Sequence, residues 1–460
     1  MCDKFRLGCK EILMTRYIGL IAGITAGVVV AACAVVSLSQ APREVAFTGD
    51  WQKISAKTIT LFYPGQSSWE FLTSPAHPGA EPLKAGMDCA TCHKPLGGPE
   101  KLGASLVKHA KLEPDPIAGK RSTVDLLVKA AFDGEYIYFR FEWESKEPGV
   151  THTLWRYDGS KWISWGGEKP DALKKGIPPS YEDRLAILIG EPNAIPAYEG
   201  AKVTFSQAGC FITCHNSMRA MPREPAAAAL SAHPFWGEKG RNVGDIRKYL
   251  LLTRTAQDDA GAWDKVKSVA ELETLKKTGK FLDLWQWRAA RSNPVGFAGD
   301  DYVLEYRLSD AGKNPFTTPA KPAWMYDASK TGFAAIPEAD LTKMLDKFPL
   351  VIGRNAVALD PKASFKAGDI LPQPVLQEPA GSAADIQASG VWRSGRWTVD
   401  LKRKLNTGNA DDRVLEPGKV YDIGFAVFED RVSNRRHHVT LPPVTLGLGV
   451  NADIKAERIK

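Results

Sequence analysis

Thr123-Val124-Asp125-Leu126-Leu127-Val128-Lys129-Ala130-Ala131-Phe132-Asp133-Gly134-Glu135-Tyr136-Ile137-Tyr138-Phe139-Arg140-Phe141-Glu142-Trp143-Glu144 decides the fold. Val124, Leu126, Val128 and Ala130 share one parity, and Ile137, Phe139, Phe141 and Trp143 share another, interleaved with Tyr138, Arg140 and Glu142. Side chains of a strand alternate between two faces, so each run buries one face and wets the other. Asp133-Gly134 between them is a turn pair, and the whole stretch reads as a β-hairpin. Strand-like segments recur at Arg184–Ile189, Tyr302–Leu308, Trp397–Leu401, Tyr421–Phe428 and Val439–Leu441, with a turn inside Trp392–Trp397. Their spacing predicts a mainly β chain: an antiparallel β-sandwich with long helical and loop insertions. Helix is expected mainly between residues 215 and 280. There Ser268-Val269-Ala270-Glu271 forms a capping box, the helix runs to about Lys277, and Gly279 stops it. Residues 308–385, rich in Pro, Ala, Gly and Asp, read as connecting loops.

The chemistry is concentrated in two short clusters, Cys89-Ala90-Thr91-Cys92-His93 and Cys210-Phe211-Ile212-Thr213-Cys214-His215. The first is a C-x-x-C-H, the signature of covalent c-type haem attachment: two thiols reach the two vinyl groups and the adjacent imidazole becomes the proximal iron ligand. Of seven cysteines, the four beyond the N-terminal segment all belong to these clusters. Zinc half-sites and a redox dithiol compete with this reading. Zinc does not require a His after each second Cys, and residues 74–88, rich in Pro, Gly and Ala, hold no strand that would place a dithiol in a βαβ unit. The second cluster has three residues between its cysteines, a rarer spacing. Covalent haem c there competes with a local disulfide beside a non-covalent haem b. His93 and His215 are the expected proximal ligands. Distal candidates are His77 and His109 for the first haem. For the second they are Met218, Met221 and His437, the last chosen over His438 by strand parity with Val439 and Leu441. Trp143, Trp285, Trp287 and Trp397 either flank haem or fill the core, and Arg288 and Arg291 either pair with propionates or face solvent. No Ser/His/Asp set, P-loop or His-Glu-x-x-His points to hydrolysis or phosphoryl transfer.

At 460 residues the chain can bury a large core, and a net charge of +7 spread along it does not suggest nucleic-acid binding. Tyr17–Leu38 is an uncharged, largely apolar run of 22 residues preceded by Lys4, Arg6, Lys10 and Arg16. As a helix it would extend about 33 Å, enough for a ~30 Å hydrocarbon core. The expectation is a single-pass inner-membrane anchor spanning residues 17–38, with the bulk of the chain in the periplasm. A cleaved signal peptide and a lipoprotein box ending at Cys33 compete. The expected organisation is a cytoplasmic tail and anchor over 1–41, a c-haem segment over 42–115 and the haem-binding β-sandwich over 116–460.

Three further segments carry a family likeness. They are Gly209–Met218, Phe281-Leu282-Asp283-Leu284-Trp285-Gln286-Trp287-Arg288 with Ser292–Gly296, and Phe425–Asp430 leading to His437-His438-Val439. With them the chain, from about 120 to 450, resembles the haem-binding domain shared by cytochrome c-552-like proteins and the gamma subunits of dimethyl-sulfoxide-reductase-type molybdenum enzymes, ethylbenzene dehydrogenase among them. The resemblance implies a β-sandwich cradling a haem and a role in passing electrons; the partner expected for such a carrier is a redox protein, a reductase, dehydrogenase or another cytochrome. It does not imply molybdenum chemistry. The gamma-subunit haem is b-type, held by Met and Lys, a pair not matched to residues here. The separate Cys89–His93 cluster and the apolar N-terminal run also depart from that pattern. The leading expectation is a tethered dihaem cytochrome. A haem enzyme or sensor with an open iron site, and a haem subunit of a larger oxidoreductase complex, are the alternatives.

Overall fold

The computed structural model describes residues 44–213, 226–236, 250–256, 262–304, 316–433 and 436–460. The chain opens with β1 (Ala56–Phe62), which pairs antiparallel with β2 (Thr123–Phe132) from Ala56↔Lys129 to Phe62↔Thr123. The hairpin expected from alternation is present: β2 pairs with β3 (Tyr136–Glu144), and Asp133 Oδ1 caps the turn by accepting from Glu135 N and Tyr136 N at 2.7 Å. The remaining strands of this sheet are β4 (Arg184–Gly190), β5 (Leu282–Arg288), β6 (Phe297–Val303), β7 (Ile386–Arg393), β8 (Arg396–Lys404), β9 (Val420–Phe428), β10 (His438–Val439), β11 (Val444–Leu448) and β12 (Ile454–Arg458).

The expected sandwich is corrected to a barrel. The order β9-β11-β12-β2-β3-β8-β7-β6-β5-β4 closes on itself because β4 pairs with β9 from Asp422↔Gly190 to Phe428↔Arg184. This ring of ten strands is antiparallel except at β12, which runs parallel to both β2 and β11. Between β2 and β9 the short strands work in pairs. β11 and β12 bridge one end; β1 and β10 bridge the other, where Phe62 pairs with Thr123 and Val439. Closure removes the unpaired edges that two open sheets would leave.

The interior is packed with side chains. Trp143, Trp285, Trp287 and Trp397 are all within 2% of full burial. Trp287 and Trp397 meet edge to face at 4.9 Å, and Trp143 reaches Trp287 at 5.9 Å. Gly390 on β7 makes room for them, since a Cβ there would lie 2.2 Å from the Trp287 ring. These tryptophans are core, part of the cluster that fills the interior among the described residues.

A second apolar cluster lies outside the barrel. Leu188 on β4, Leu282 and Leu284 on β5 and Val439 on β10 pack against Phe62, Trp69, Leu83, Leu106, Phe205, Phe211 and Leu250–Leu252. Their neighbours Ile187, Ile189, Trp285 and Trp287 have the opposite parity and face the interior. Strands β4 and β5 are therefore buried on both faces.

Helix appears earlier than expected. Residues 63–122 connect β1 to β2 through α1 (Trp69–Leu72), α2 (Ala80–Lys84), α3 (Cys89–His93) and α4 (Gly98–Leu106). The capping-box helix Val269–Lys277 is present, with Gly279 at φ +71° just beyond it. Residues 316–376 are also more than loops. With Leu154–Tyr157 and Trp162–Trp165 they form small sheets around a satellite core of Leu154, Trp155, Tyr326, Ile336, Phe348, Leu350 and Ile370.

The expected single-pass inner-membrane localisation is corrected as well. No helix among the described residues is long and apolar enough to cross a membrane. The longest, α4 and Val269–Lys277, have nine residues each. Nine residues rise about 13.5 Å, against a ~30 Å hydrocarbon core. The run 17–38 that carried the expectation lies outside the described residues.

Candidate haem site

The C-x-x-C-H sequence folds as a helical turn. Asp88 is the N-cap of α3, its carboxylate accepting from Thr91 N at 2.8 Å and Thr91 Oγ1 at 3.0 Å. A helix brings positions i, i+3 and i+4 to one face, so Cys89, Cys92 and His93 project together. All three line one cavity with an empty volume, counted out to its mouth, of about 910 Å³. The rest of its wall is mostly apolar: Phe62, Phe71, Leu83, Leu102, Leu106 and Phe211, with His77 and His109 among the polar groups. Cofactor pockets of this kind are concave, chiefly apolar and carry a few fixed polar groups.

The ends of this segment are tied to each other, and Arg436 ties it to the barrel. Tyr63 N donates to Ser122 O at 2.8 Å, and Gln66 N to Leu112 O at 2.6 Å. Buried Glu113 accepts from Arg436 Nε at 3.1 Å and from its terminal nitrogen at 2.8 Å, and also from the Tyr63 hydroxyl. α4 rests directly on the β1–β2 junction: a Cβ on Gly103 would lie 2.2 Å from Ser122 O.

Burial, aided by Asp88, pushes the Cys89 thiol up to about 12, so it rests protonated. Burial and the facing His77 lower the His93 pKa, which keeps the imidazole neutral with a lone pair for a metal. The two rings lie with centroids 6.4 Å apart and planes 18° from parallel. His77 Nδ1 lies 2.9 Å from Leu72 O, and His109 Nδ1 accepts from Lys111 N at 3.3 Å and Leu112 N at 3.2 Å. The paired thiols, the neutral imidazole and the apolar wall fit a covalently attached haem.

Part of the second cluster borders the same region. Thr204 caps the short helix Phe205–Ala208 in a capping box with Gln207, and Gly209–Ile212 follows as a 3-10 turn. Cys210 packs on the outer apolar cluster, Phe211 enters the first cavity, and Cys89 Sγ reaches Gln207 O at 3.5 Å. Cys214, His215, Met218 and Met221 lie outside the described residues.

The sequence profile of ethylbenzene dehydrogenase matches residues 48–440. The chain belongs to the ethylbenzene dehydrogenase family. Two curated relatives accompany this family match. Cytochrome c-552 of Stutzerimonas stutzeri is 25% identical over 427 residues, 92% of this chain and 96% of that protein. Cytochrome c-551 of Rhodocyclus tenuis is 31% identical over 174 residues, 38% of this chain and 58% of that protein.

Other residues singled out in this family member have different settings. His437 is buried with its ring stacked on Phe428 at 4.2 Å. Its neighbour His438 donates from Nε2 to Arg121 O at 3.0 Å, and burial beside Lys120 holds its pKa well below the ordinary value. Arg291 bonds Glu182 at 2.6 Å, and Arg288 bonds the Gln286 side chain. Asp283, Asp300 and Asp412 are close enough together to suggest a metal site. However, the Arg403 guanidinium sits among them at 2.9, 3.0 and 3.2 Å, making a buried ion cluster instead. Sequence reading missed the Tyr63–Glu113–Arg436 clamp. Its members are 50 and 323 positions apart, and no local pattern links them.

Proposed function

We propose that this chain is a c-type cytochrome that carries single electrons between redox protein partners. One haem c would be held through Cys89 and Cys92 with His93 as proximal ligand. A second would be held by Cys210, Cys214 and His215. The observation that carries the reading is the convergence of both thiols and the imidazole of the C-x-x-C-H on one apolar cavity. The names of the relatives, cytochrome c-552 and cytochrome c-551, support it.

When bound, such a haem supplies a one-electron iron couple whose potential is set by axial ligands, burial and nearby hydrogen bonds. The chain's own residues do the rest. Cys89 and Cys92 fix the macrocycle against α3, and neutral His93 offers its lone pair to the iron. Phe62, Leu83, Leu102 and Leu106, which line the cavity, would exclude water from the group held there. The clamp at Glu113 holds the segment to the barrel, so little reorganisation accompanies electron transfer. Phe211 extends from the second cluster into the first cavity, which supports exchange between two centres.

The test is direct. Protein expressed with a haem-attachment system should give an alkaline pyridine haemochrome with the bands of thioether-linked haem. Its mass should exceed that of the polypeptide by two haem increments. Cys89→Ser/Cys92→Ser should remove one increment and Cys210→Ser/Cys214→Ser the other. A colourless mature protein would end the proposal, and a single increment would end its dihaem part.

A further inference from the structure

We propose that His77 is the second axial ligand of the haem at Cys89, Cys92 and His93, making that centre a sealed bis-imidazole haem. The inference rests on the haem reading above and goes further by choosing the residue opposite His93.

Ring placement comes first. Two imidazoles bound through Nε2 to opposite sides of one metal, with bonds of about 2 Å, hold their centroids roughly 6 Å apart. The His77 and His93 centroids are 6.4 Å apart and their planes nearly parallel, at 18°. Both rings line the cavity that contains the two thiols.

Tautomer logic comes second, and it separates His77 from His109. A carbonyl oxygen only accepts, so the 2.9 Å contact between His77 Nδ1 and Leu72 O makes Nδ1 the protonated nitrogen. The lone pair is then on Nε2. A metal-bound histidine is ordinarily held in this way, its other ring N–H donated to a backbone carbonyl. His109 is the reverse. Backbone N–H groups only donate, so His109 Nδ1, which receives Lys111 N and Leu112 N, carries the lone pair and leaves the proton on Nε2. A neutral ring cannot offer that Nε2 to iron. The Met87 thioether, also at the cavity, has its sulfur 3.7 Å from Cys92 Sγ, at the attachment helix.

Local packing comes third. Phe71 flanks the His77 ring at 5.8 Å. Gly79 leaves room for it, since a Cβ at Gly79 would lie 2.9 Å from His77 Cε1 and 3.4 Å from Nε2. The Gly79 backbone, at φ −86° and ψ 9°, does not itself demand glycine. The absent side chain is therefore explained by the imidazole beside it.

Two consequences follow. A second imidazole fills the position that a small ligand would take, so this iron does not bind carbon monoxide. Met in place of His as axial ligand raises the potential, so His77 keeps this centre low.

The experiment uses the intact holoprotein, with haem content verified by pyridine haemochrome on the same sample. His77→Ala should convert one haem per molecule from a low-spin to a high-spin ferric signal in electron paramagnetic resonance. On reduction it should take up one more equivalent of carbon monoxide than wild type, and added imidazole should reverse both changes. His77→Met should raise the midpoint potential and bring a Met–iron charge-transfer band in the red. Gly79→Ala, which crowds the ring without removing it, should give partial carbon monoxide uptake and covers the case in which His77→Ala does not accumulate. Equal uptake by wild type and these variants overturns the proposal. So does the same conversion following His109→Ala instead. A missing haemochrome in wild type would sink the haem reading itself, an outcome distinct from either.

Discussion

Replacing Arg436 by Met tests how the barrel holds the haem segment. In the native chain the guanidinium meets Glu113 with three N–O contacts of 2.8 to 3.1 Å. The side chains retain only 5% and 0% of their exposure. The substitution keeps the aliphatic volume and strands a carboxylate in the interior. Removing one partner of a buried pair costs about 3–5 kcal/mol, because the other charge stays desolvated. The Tyr63 hydroxyl still donates to Glu113, which places the expected loss near the lower end, about 3 kcal/mol. Adding Glu113→Gln removes the stranded charge and should recover more than half of that loss. The assay is guanidinium denaturation of the holoprotein at pH 7, followed by tryptophan emission and by haem absorbance. A single variant within about 1 kcal/mol of wild type would show that the clamp contributes only what a surface pair does. A double variant no more stable than the single would show that the penalty is not electrostatic.

Asp183 sets a pH dependence. Burial raises its carboxyl to about 7, even though Oδ2 accepts from Trp397 Nε1 at 2.8 Å and Gly149 N at 3.0 Å. The unfolded value is about 3.9, so between these values the folded chain holds a proton that the unfolded chain has released. Its stabilising contribution is full below pH ~4 and is lost as pH rises through ~7, a change on the order of 4 kcal/mol. Asp183→Asn should flatten that part of the stability profile in denaturation series at pH 4.5 and 8, and an unchanged slope would refute it. Arg403→Met should cost at least about 3–5 kcal/mol in the same assay, since three buried carboxylates lose their counter-ion. Calcium or chelator should leave the wild-type midpoint where it is. Gly103→Ala drives a methyl group against Ser122 O and should cost about 1–3 kcal/mol despite the better helix former. Limited proteolysis should then cut residues 63–122 faster than in wild type.

What was legible in the sequence follows physical lines. The hairpin over 123–144 was readable because each strand buries one face only, so period-two alternation survives. Strand β8 was readable for the same reason, whereas β9 is buried on both faces over residues 421–425 and was readable because its inward Tyr421, Ile423, Phe425 and Val427 are large while the alternating Asp422, Gly424 and Ala426 are small or polar. Closure was not, because the pairing of Arg184–Gly190 with residues 422–428 is a long-range register with no local signature. On β5 the alternation is gone, since Leu282 and Leu284 face outward into apolar neighbours as fully as Trp285 and Trp287 face inward. The helices of 69–106 were hidden by brevity: four to nine residues each, among Pro and Gly. Their caps Ser68 and Asp88 were the available signal. The strands of the satellite core between 316 and 376 are two to four residues long, too short to show a period. At the candidate haem site the Cys and His of α3 were plain from spacing. The difference between His77 and His109 depends on which backbone group each Nδ1 meets, and no sequence pattern encodes that.

Among the described residues the barrel interior is taken up by side chains, four tryptophans included, and the cavity that gathers Cys89, Cys92 and His93 lies against the outer apolar cluster, on a face where a barrel usually presents polar residues. Phe62 of β1 and Leu441 just past β10 face the cavity directly, and Leu188, Leu282, Leu284 and Val439 back that wall as members of the same outer apolar cluster as Phe62, Leu83 and Phe211. The segment that carries Cys89, Cys92 and His93 arises from the β1–β2 connection at the end of the barrel where β10 also pairs. The segment that carries Cys210 follows β4 and packs on the same wall. Two stretches more than a hundred residues apart thus meet through one apolar cluster, and Phe211 contributes to both. Such an arrangement couples the segments mechanically: loosening the wall, by Leu284→Ala for instance, should disturb both cysteine clusters at once, whereas a cut in the satellite core should disturb neither.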